Sequence, residues 1–264
     1  MIKFFRKIRQ NLLRERKLGN YLLYALGEII LVVIGILIAL QINNWNEHQK
    51  QNRLEQEYYC RLAEDVQLDK EQMGNLLSLA ENRLEASNEA VRILLKDEVK
   101  KVVAGNLISF SIMAIYSDFQ PNNSAYEDLK SGANLNIIRD KSVIQALNRY
   151  FNRVEELKSI IMVNGKYAVD ISFSHTDNFA NGYNQASIQN GRFSVGLDED
   201  LKEALTRAEE NLSPEMKNRL LSEALEYVSV NTRQVELYDK LMNEIEELEL
   251  LLTKKCKSDR SVRS

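Results

Sequence analysis

The chain has 264 residues, of which 44% are hydrophobic and 28% are charged, with 10 Gly and only 2 Pro. This composition is typical of one or two largely helical domains and excludes a disordered chain or a turn-rich β-protein. The net charge of -3 conceals an asymmetry: residues 1–20 carry +6, residues 254–264 carry +4, and the body between them, with 23 bases against 36 acids, carries -13.

Residues 21–42 predict a transmembrane helix. They contain 14 Ile, Leu or Val, and at about 1.5 Å per residue they span roughly 30 Å, the thickness of a hydrocarbon core. The sequence ALQINNWNE closes the segment without an A-x-A-like cleavage site, so we expect an uncleaved signal anchor. The positive-inside rule then places residues 1–20 in the cytoplasm and residues 43–264 outside it.

Two interpretations of the basic segment before the anchor are open: a helix on the membrane surface, or an orientation signal alone. Phe5, Ile8 and Leu12 recur at helical spacing among basic residues, as in an amphipathic helix on an anionic leaflet. The alternative is that the bases only set the orientation of the anchor. The residues expected to face lipid headgroups are Lys3, Arg6, Lys7, Arg9, Arg14, Arg16 and Lys17.

Glu28 stands near the start of the apolar segment, where a carboxyl group has little water. The fourteen aliphatic residues offset its insertion cost of roughly 3 kcal/mol about twofold. At 100° per residue, Gly35 and Ala39 lie within about 20° of Glu28, which makes a stripe of small residues with an acid on it. Three interpretations are open: packing against another helix, a proton or ion site shared with a membrane partner, or a tolerated acid solvated by water.

After the anchor the pattern is helical. Residues 44–95 contain no proline and a single glycine, Gly74. Their apolar positions recur at steps of three and four, which predicts one long helix. This stripe consists of Leu62, Val66, Met73, Leu76, Ala80, Leu84, Val91 and Leu94. Residues 99–116 fit a buried helix or a strand, and the composition of the neighbouring segments favours the helix.

The stretch FQPNNSAYEDLKSGANLNIIRD predicts a short helix in a corner. Ser124 and Glu127 have capping-box spacing, and Gly132 is placed to end the helix. Asp140 is positioned to cap a further helix, whose apolar positions are Val143, Leu147, Tyr150, Val154, Leu157 and Ile161. Residues 172–196 are rich in Gly and Asn and predict a long mobile connector or a functional loop.

The C-terminal region predicts two more helices. The first begins at Asp198, and Ser213 and Pro214 form an N-cap and first-residue pair for the second. The second carries a four-three alternation typical of a coiled-coil seam, with Asn231 and Gln234 in the seam to fix its register. The seam positions are Leu220, Ala224, Tyr227, Asn231, Gln234, Tyr238, Leu241, Ile245, Leu248 and Leu252. We expect this helix to pack antiparallel to the long helix after the anchor, or against a second copy of the chain.

Cys60 and Cys256 form a candidate disulfide. If the last helix runs back along the first, its end falls opposite Cys60, and the compartment outside the cytoplasm permits disulfides. A bond there would stabilise the domain by about 4 to 5 kcal/mol in the chain-entropy account. The alternative is two free thiols.

Residues that carry out catalysis are hard to find in this sequence. There are two histidines, His48 and His175, and there is no HExxH, CxxC, P-loop or GxSxG motif. His175 has Asp177 nearby, but one His and one acid in a loop make neither a metal site nor a triad. We therefore predict no catalytic residues, no metal and no cofactor, and the acidic body lacks the interleaved basic and aromatic residues that bind nucleic acid.

Three segments carry a resemblance to a known family. MIKFFRKIRQNLL, YLLYALGEIILVVIGILIALQINNWNE and FQPNNSAYEDLKSGANLNIIRD resemble a family of single-pass membrane proteins of unknown function from Gram-negative bacteria. This chain reads SGANL where the family pattern reads SSGNL, so Gly132 is displaced by one position. The resemblance implies a location in the bacterial inner membrane and a periplasmic helical domain, and it implies no reaction.

These patterns together predict an all-α protein. A transmembrane helix (21–42) continues into an extracytoplasmic antiparallel helical bundle (43–253) with long coiled-coil-like helices, between a basic segment (1–20) and a basic tail (254–264). We expect a non-catalytic interaction or scaffold component of a cell-envelope complex, whose partners are membrane lipids and either a second copy or another membrane protein. The alternatives are a ligand-binding sensory bundle and a subunit of a proton-driven assembly that uses Glu28.

Overall fold

A computed structural model describes most of the chain. The described residues are 18–116, 119–132, 134–174, 198, 200 and 211–258. The predicted basic segment before the anchor, the connector centred on residues 175–197, the helix predicted to begin at Asp198 and the end of the basic tail lie largely or wholly outside these residues.

The predicted all-α fold is confirmed. Within the described ranges there are five α-helices and one short 3-10 helix, Asn134–Ile137. The α-helices are α1 Leu18–Leu94, α2 Lys101–Ser111, α3 Ser124–Ser131, α4 Lys141–Phe173 and α5 Pro214–Ser258. The long helix predicted after the anchor and the helix favoured for residues 99–116 are therefore both present, the latter as α2 followed by a turn.

The chain divides into two compact units, Met1–Gln56 and Glu57–Ser264. The described part of the first unit is a stretch of α1 that contains an 18-residue window of mean hydropathy 2.6, none of it buried. This single helix is long and apolar enough to be a membrane anchor or a signal sequence.

In the second unit, α5 packs antiparallel to α1, as predicted. Cys60 is bonded to Cys256, the Lys70 ammonium lies 3.0 Å from the Glu249 carboxylate, and Arg83 donates to Asn231. As the residue number rises along α1, the number of its partner on α5 falls, so the two helices run antiparallel. All ten predicted seam positions of α5 are buried.

Helix α4 completes the core. Its six predicted apolar positions, from Val143 to Ile161, are all buried. The buried apolar residues form two clusters: one joins α4 to the Tyr58–Ala80 part of α1 and the second half of α5, and the other joins α2 to the end of α1 and the first half of α5. The core is therefore not one continuous apolar body.

Two of the three predicted helix caps are confirmed. The Asp140 side chain accepts from the Ser142 backbone N–H at 2.9 Å, and the Ser213 hydroxyl accepts from the Met216 N–H at 3.3 Å. The predicted capping box at Ser124 is wrong. Ser124 is the first residue of α3, and the N-cap residue of that helix is Asn123, whose side chain makes no capping hydrogen bond. Gly132 follows the end of α3, as predicted.

Candidate functional site

Residues 119–132, here called the corner, are held against α1 by the hydrogen bonds of three carboxylates. Asp69, on α1, is fully buried. Its carboxylate accepts from the backbone N–H and the side-chain amide of Asn122 at 2.7 and 2.9 Å, and from the Tyr150 hydroxyl at 2.6 Å. Burial raises the pKa of Asp69, and these hydrogen bonds oppose that rise. One side chain therefore joins α1, the corner and α4.

The N-terminus of α3 is capped from another helix. One Asp65 oxygen accepts from the Ala125 backbone N–H at 2.9 Å, and the Ser124 hydroxyl donates to the same carboxylate at 3.2 Å. A carboxylate there satisfies a free backbone N–H and complements the helix dipole. The side-chain acceptor at this end of α3 is therefore Asp65 of α1, whereas Ser124 is already the first helical residue and does not occupy the N-cap position that a capping box requires.

A third carboxylate holds the other end of α3. Asp128 accepts from Arg61 at 2.8 Å and from the Tyr58 hydroxyl at 3.2 Å. The Arg61 hydrogen bond, and after it the Tyr58 bond, hold the pKa of Asp128 below its usual value. The corner is therefore fixed on α1 at three points along its length.

A cleft of about 410 Å³ lies between the corner and α4. Its volume is in the range of small-molecule sites. The corner wall and the α4 wall both carry mainly polar side chains. The lining residues are Gln120, Pro121, Asn123, Tyr126, Glu127, Lys130, Asn148, Phe151, Asn152, Glu155 and Lys158.

Several of these side chains already have partners. Tyr126 stacks on Phe151 with ring centroids 4.3 Å apart, carries the Lys130 ammonium over its ring at 5.3 Å, and donates to Asn148 at 2.8 Å. Lys130 also pairs with Glu127 at 3.1 Å. The aromatic rings and the Glu127–Lys130 ion pair of the cleft therefore already have partners among the lining residues.

Between the two apolar clusters lies a polar layer formed by Arg83, Ser87, Asn231 and Gln234, all of them buried. Arg83 donates to the Asn231 side-chain oxygen at 3.2 Å and to the Met113 carbonyl at 3.3 Å. Asn231 donates in turn to Ser87 at 2.9 Å. Burial lowers the pKa of Arg83 to about 10, so the guanidinium stays charged at neutral pH.

The polar layer also binds the turn after α2. The Ser111 carbonyl accepts from Asn231 at 2.9 Å and the Ile115 carbonyl accepts from Gln234 at 3.5 Å. Ala114, in the same turn, has a φ of 54°, which is uncommon for a residue with a side chain. The two polar seam residues of α5 therefore hold this turn, and their predicted role in fixing the register of the seam stays a prediction.

The structure places the remaining predicted residues as follows. Cys60 and Cys256 are bonded, with their Cα atoms 4.9 Å apart. Glu28, Gly35 and Ala39 are exposed on α1 in the first unit, and apart from neighbouring residues and the helix backbone nothing packs over Gly35. The seven basic residues of segment 1–17 and His175 lie outside the described residues, and His48 is exposed.

Sequence reasoning missed the buried charges and the cleft. Asp69 and Arg83 read as members of solvated helix faces, because their partners come from segments at least 30 residues away. Asn148, Asn152 and Glu155 read as an ordinary exposed face of α4. Among the described residues, no three His, Cys, Asp or Glu side chains are grouped closely enough to hold a metal ion.

Comparison with known proteins gives one match. No curated protein and no solved structure matches the chain significantly. The sequence pattern of a family of unknown function, DUF6090, matches residues 28–169. That range is more than half of the chain and takes in the apolar stretch of α1, the corner and both walls of the cleft, but not α5. The chain belongs to the DUF6090 family.

Proposed function

We propose that the protein is a single-pass membrane protein whose helical bundle acts outside the cytoplasm as a non-catalytic interaction module of a cell-envelope complex. The observation that carries this proposal is the Cys60–Cys256 bond, which closes the bundle after an exposed apolar helix. Disulfides persist in the periplasm and on cell surfaces and are rare in the cytoplasm. The +6 charge of residues 1–20 supports the same orientation.

Within the membrane, we expect the stripe of Glu28, Gly35 and Ala39 to pack against a partner helix. Small residues let two backbones approach closely, and a carboxyl group buried between helices gains a hydrogen-bond partner that lipid cannot offer. The partner is a second copy of the chain or another membrane protein. The basic residues before the anchor would bind anionic lipid headgroups.

Reporter fusions test the orientation. Alkaline phosphatase fused after residue 264 should be active, since it folds only outside the cytoplasm, and green fluorescent protein at the same position should be dark. The wild-type chain taken from cells should also migrate faster on a non-reducing gel than on a reducing gel. A fluorescent and enzymatically inactive pair of fusions would overturn the proposed orientation.

Crosslinking in intact membranes tests the interaction role. The wild-type chain and Glu28→Gln are crosslinked, purified in mild detergent and compared by mass spectrometry, with Glu47→Gln as the matched control outside the apolar run. A membrane protein, or a second copy, that is recovered with the wild type and the control and is lost from Glu28→Gln supports the stripe as a contact surface. If the same proteins are recovered with the wild type, Glu28→Gln and Glu47→Gln, the stripe is not a contact surface.

A sensory role is the second candidate, and the cleft is the observation that favours it. A soluble ligand in a 410 Å³ cleft would raise the unfolding temperature of the full chain by mass action. A proton-driven role for Glu28 has a separate requirement: Glu28→Gln would abolish function without lowering the amount of protein in the membrane.

A further inference from the structure

The cleft between the corner and α4 is built for hydrogen bonding and not for ring stacking. Tyr126 has Phe151 on one face and the Lys130 ammonium above its ring. Phe151 in turn contacts the Tyr150 ring edge-on, with centroids 5.0 Å apart. Each ring thus already has aromatic contacts or a cation beside it, and most of the other groups that line the cleft are polar side chains.

The amides on the α4 wall have the spacing of an extended peptide. Asn148 and Asn152 are both exposed and four positions apart, which is about 6 Å along a helix axis. Two residues of an extended chain advance about 6.6 to 6.8 Å. The Asn148 oxygen accepts from Tyr126, so its NH₂ group remains as a donor, and Asn152 offers both a donor and an acceptor. Alternate peptide groups can therefore bind successive amides.

One charge of the cleft has no partner within the described part of the chain. Glu127 is paired with Lys130, and Lys158 donates to Gln120 at 3.3 Å. Glu155 is exposed and lies one turn beyond Asn152 on the same side of α4. A ligand with a positive group at that point would complete the ion pairing of the cleft.

We infer that the cleft binds an extended peptide segment of a partner protein, with the Asn148 and Asn152 amides on its main chain and Glu155 on a basic side chain. This inference rests on the proposed interaction role and names the chemistry of the partner. Recognition of main-chain groups by amides gives affinity with little sequence preference, and the single carboxylate adds selectivity for Arg or Lys.

Peptide titrations of the full chain, in a detergent without a sugar headgroup, test the inference. The probes are three fluorescein-labelled alanine heptapeptides with blocked ends and arginine, alanine or glutamate at the centre, followed by fluorescence anisotropy. The expected order of affinity is arginine, then alanine, then glutamate. Asn152→Ala should weaken all three about fivefold, the effect of one hydrogen bond of about 1 kcal/mol.

Glu155→Gln separates the charge from the amides. It should weaken the arginine peptide about fivefold, which is the upper end for an exposed ion pair, and leave the alanine peptide unchanged. Glu81→Gln makes the same chemical change at an exposed position of α1 that does not line the cleft, and it should change neither. All three replaced side chains are exposed, so the variants keep the fold, which circular dichroism verifies.

Three results would overturn the inference: no binding at millimolar protein, equal affinity for the three peptides, or displacement of the arginine peptide by cellotetraose but not by unlabelled peptide. The last result would make the cleft a saccharide site. None of these results bears on membrane orientation, which the reporter fusions measure independently, so failure of the peptide site and failure of the proposed function are distinguishable.

Discussion

Replacing both cysteines with alanine measures how much the disulfide contributes to the bundle. The bond joins residues 196 positions apart, so it closes a loop of nearly the whole second unit. In the chain-entropy account, a crosslink over a loop of that length stabilises the folded state by about 5 kcal/mol, because it removes freedom from the unfolded chain. In a domain of this size, 5 kcal/mol corresponds to a fall in unfolding temperature of about 10 to 20 °C.

Thermal unfolding in one detergent, followed by circular dichroism, checks this value. The oxidised wild type should unfold 10 to 20 °C above Cys60→Ala/Cys256→Ala, and reductant should lower the wild type to the level of the double variant. The double variant itself is the control, since reductant should not change its unfolding. Equal unfolding temperatures for oxidised and reduced wild type would refute the reasoning.

Three further predictions concern polar contacts within the bundle. Asn231→Ala leaves a buried guanidinium without its side-chain acceptor and should lower the free energy of unfolding by about 2 to 4 kcal/mol in urea titrations. Asp65→Ala should destabilise the protein more than Ser124→Ala, because only the aspartate accepts from the α3 backbone; equal losses in the same titrations would contradict this. Asp140→Asn should be less stable than wild type at pH 7, and in the same titrations the difference should shrink as the pH falls below about 4.

The sign of the pH effect follows from the environment of Asp140. Its pKa is held below the ordinary value, first by the hydrogen bond from Lys255 and then by those from Ser142. A group whose pKa is lower in the folded state stabilises the fold above its ordinary pKa, and that stabilisation is lost as the pH falls through the folded-state value. A stability difference that persists unchanged at pH 2 would contradict this assignment.

The sequence predicts these helices well, because their apolar positions recur at steps of three and four residues, which is the period of an α-helix. The ten seam residues of α5 and the six of α4 are buried without exception. The caps at Asp140 and Ser213 were predictable for a similar reason, since each is a local bond between residues two or three positions apart. Local geometry suffices where both partners belong to one short segment.

The capping box predicted at Ser124 is wrong because the hydrogen bonds at the start of α3 do not stay within one short segment. The Ala125 N–H at the start of α3 has a remote acceptor, Asp65, 60 positions earlier in the chain, and no local pattern reveals such an acceptor. Burial of Arg83 and Asp69 was missed for the same reason, because charged residues are expected in solvent unless remote segments supply their partners. The cleft depends on two walls that only the tertiary fold brings together.

The pairing of α1 with α5 has a consequence for how the protein is made. The α5 residues that bond to α1 lie 148 to 196 positions further along the chain. During synthesis, the part of the α1 apolar face that packs on α5 therefore has no partner until residues 214–258 have left the ribosome. Folds dominated by such distant contacts form slowly and expose hydrophobic surface while they fold. The Cys60–Cys256 bond can accordingly form only at a late step of synthesis, after residue 256 has been made.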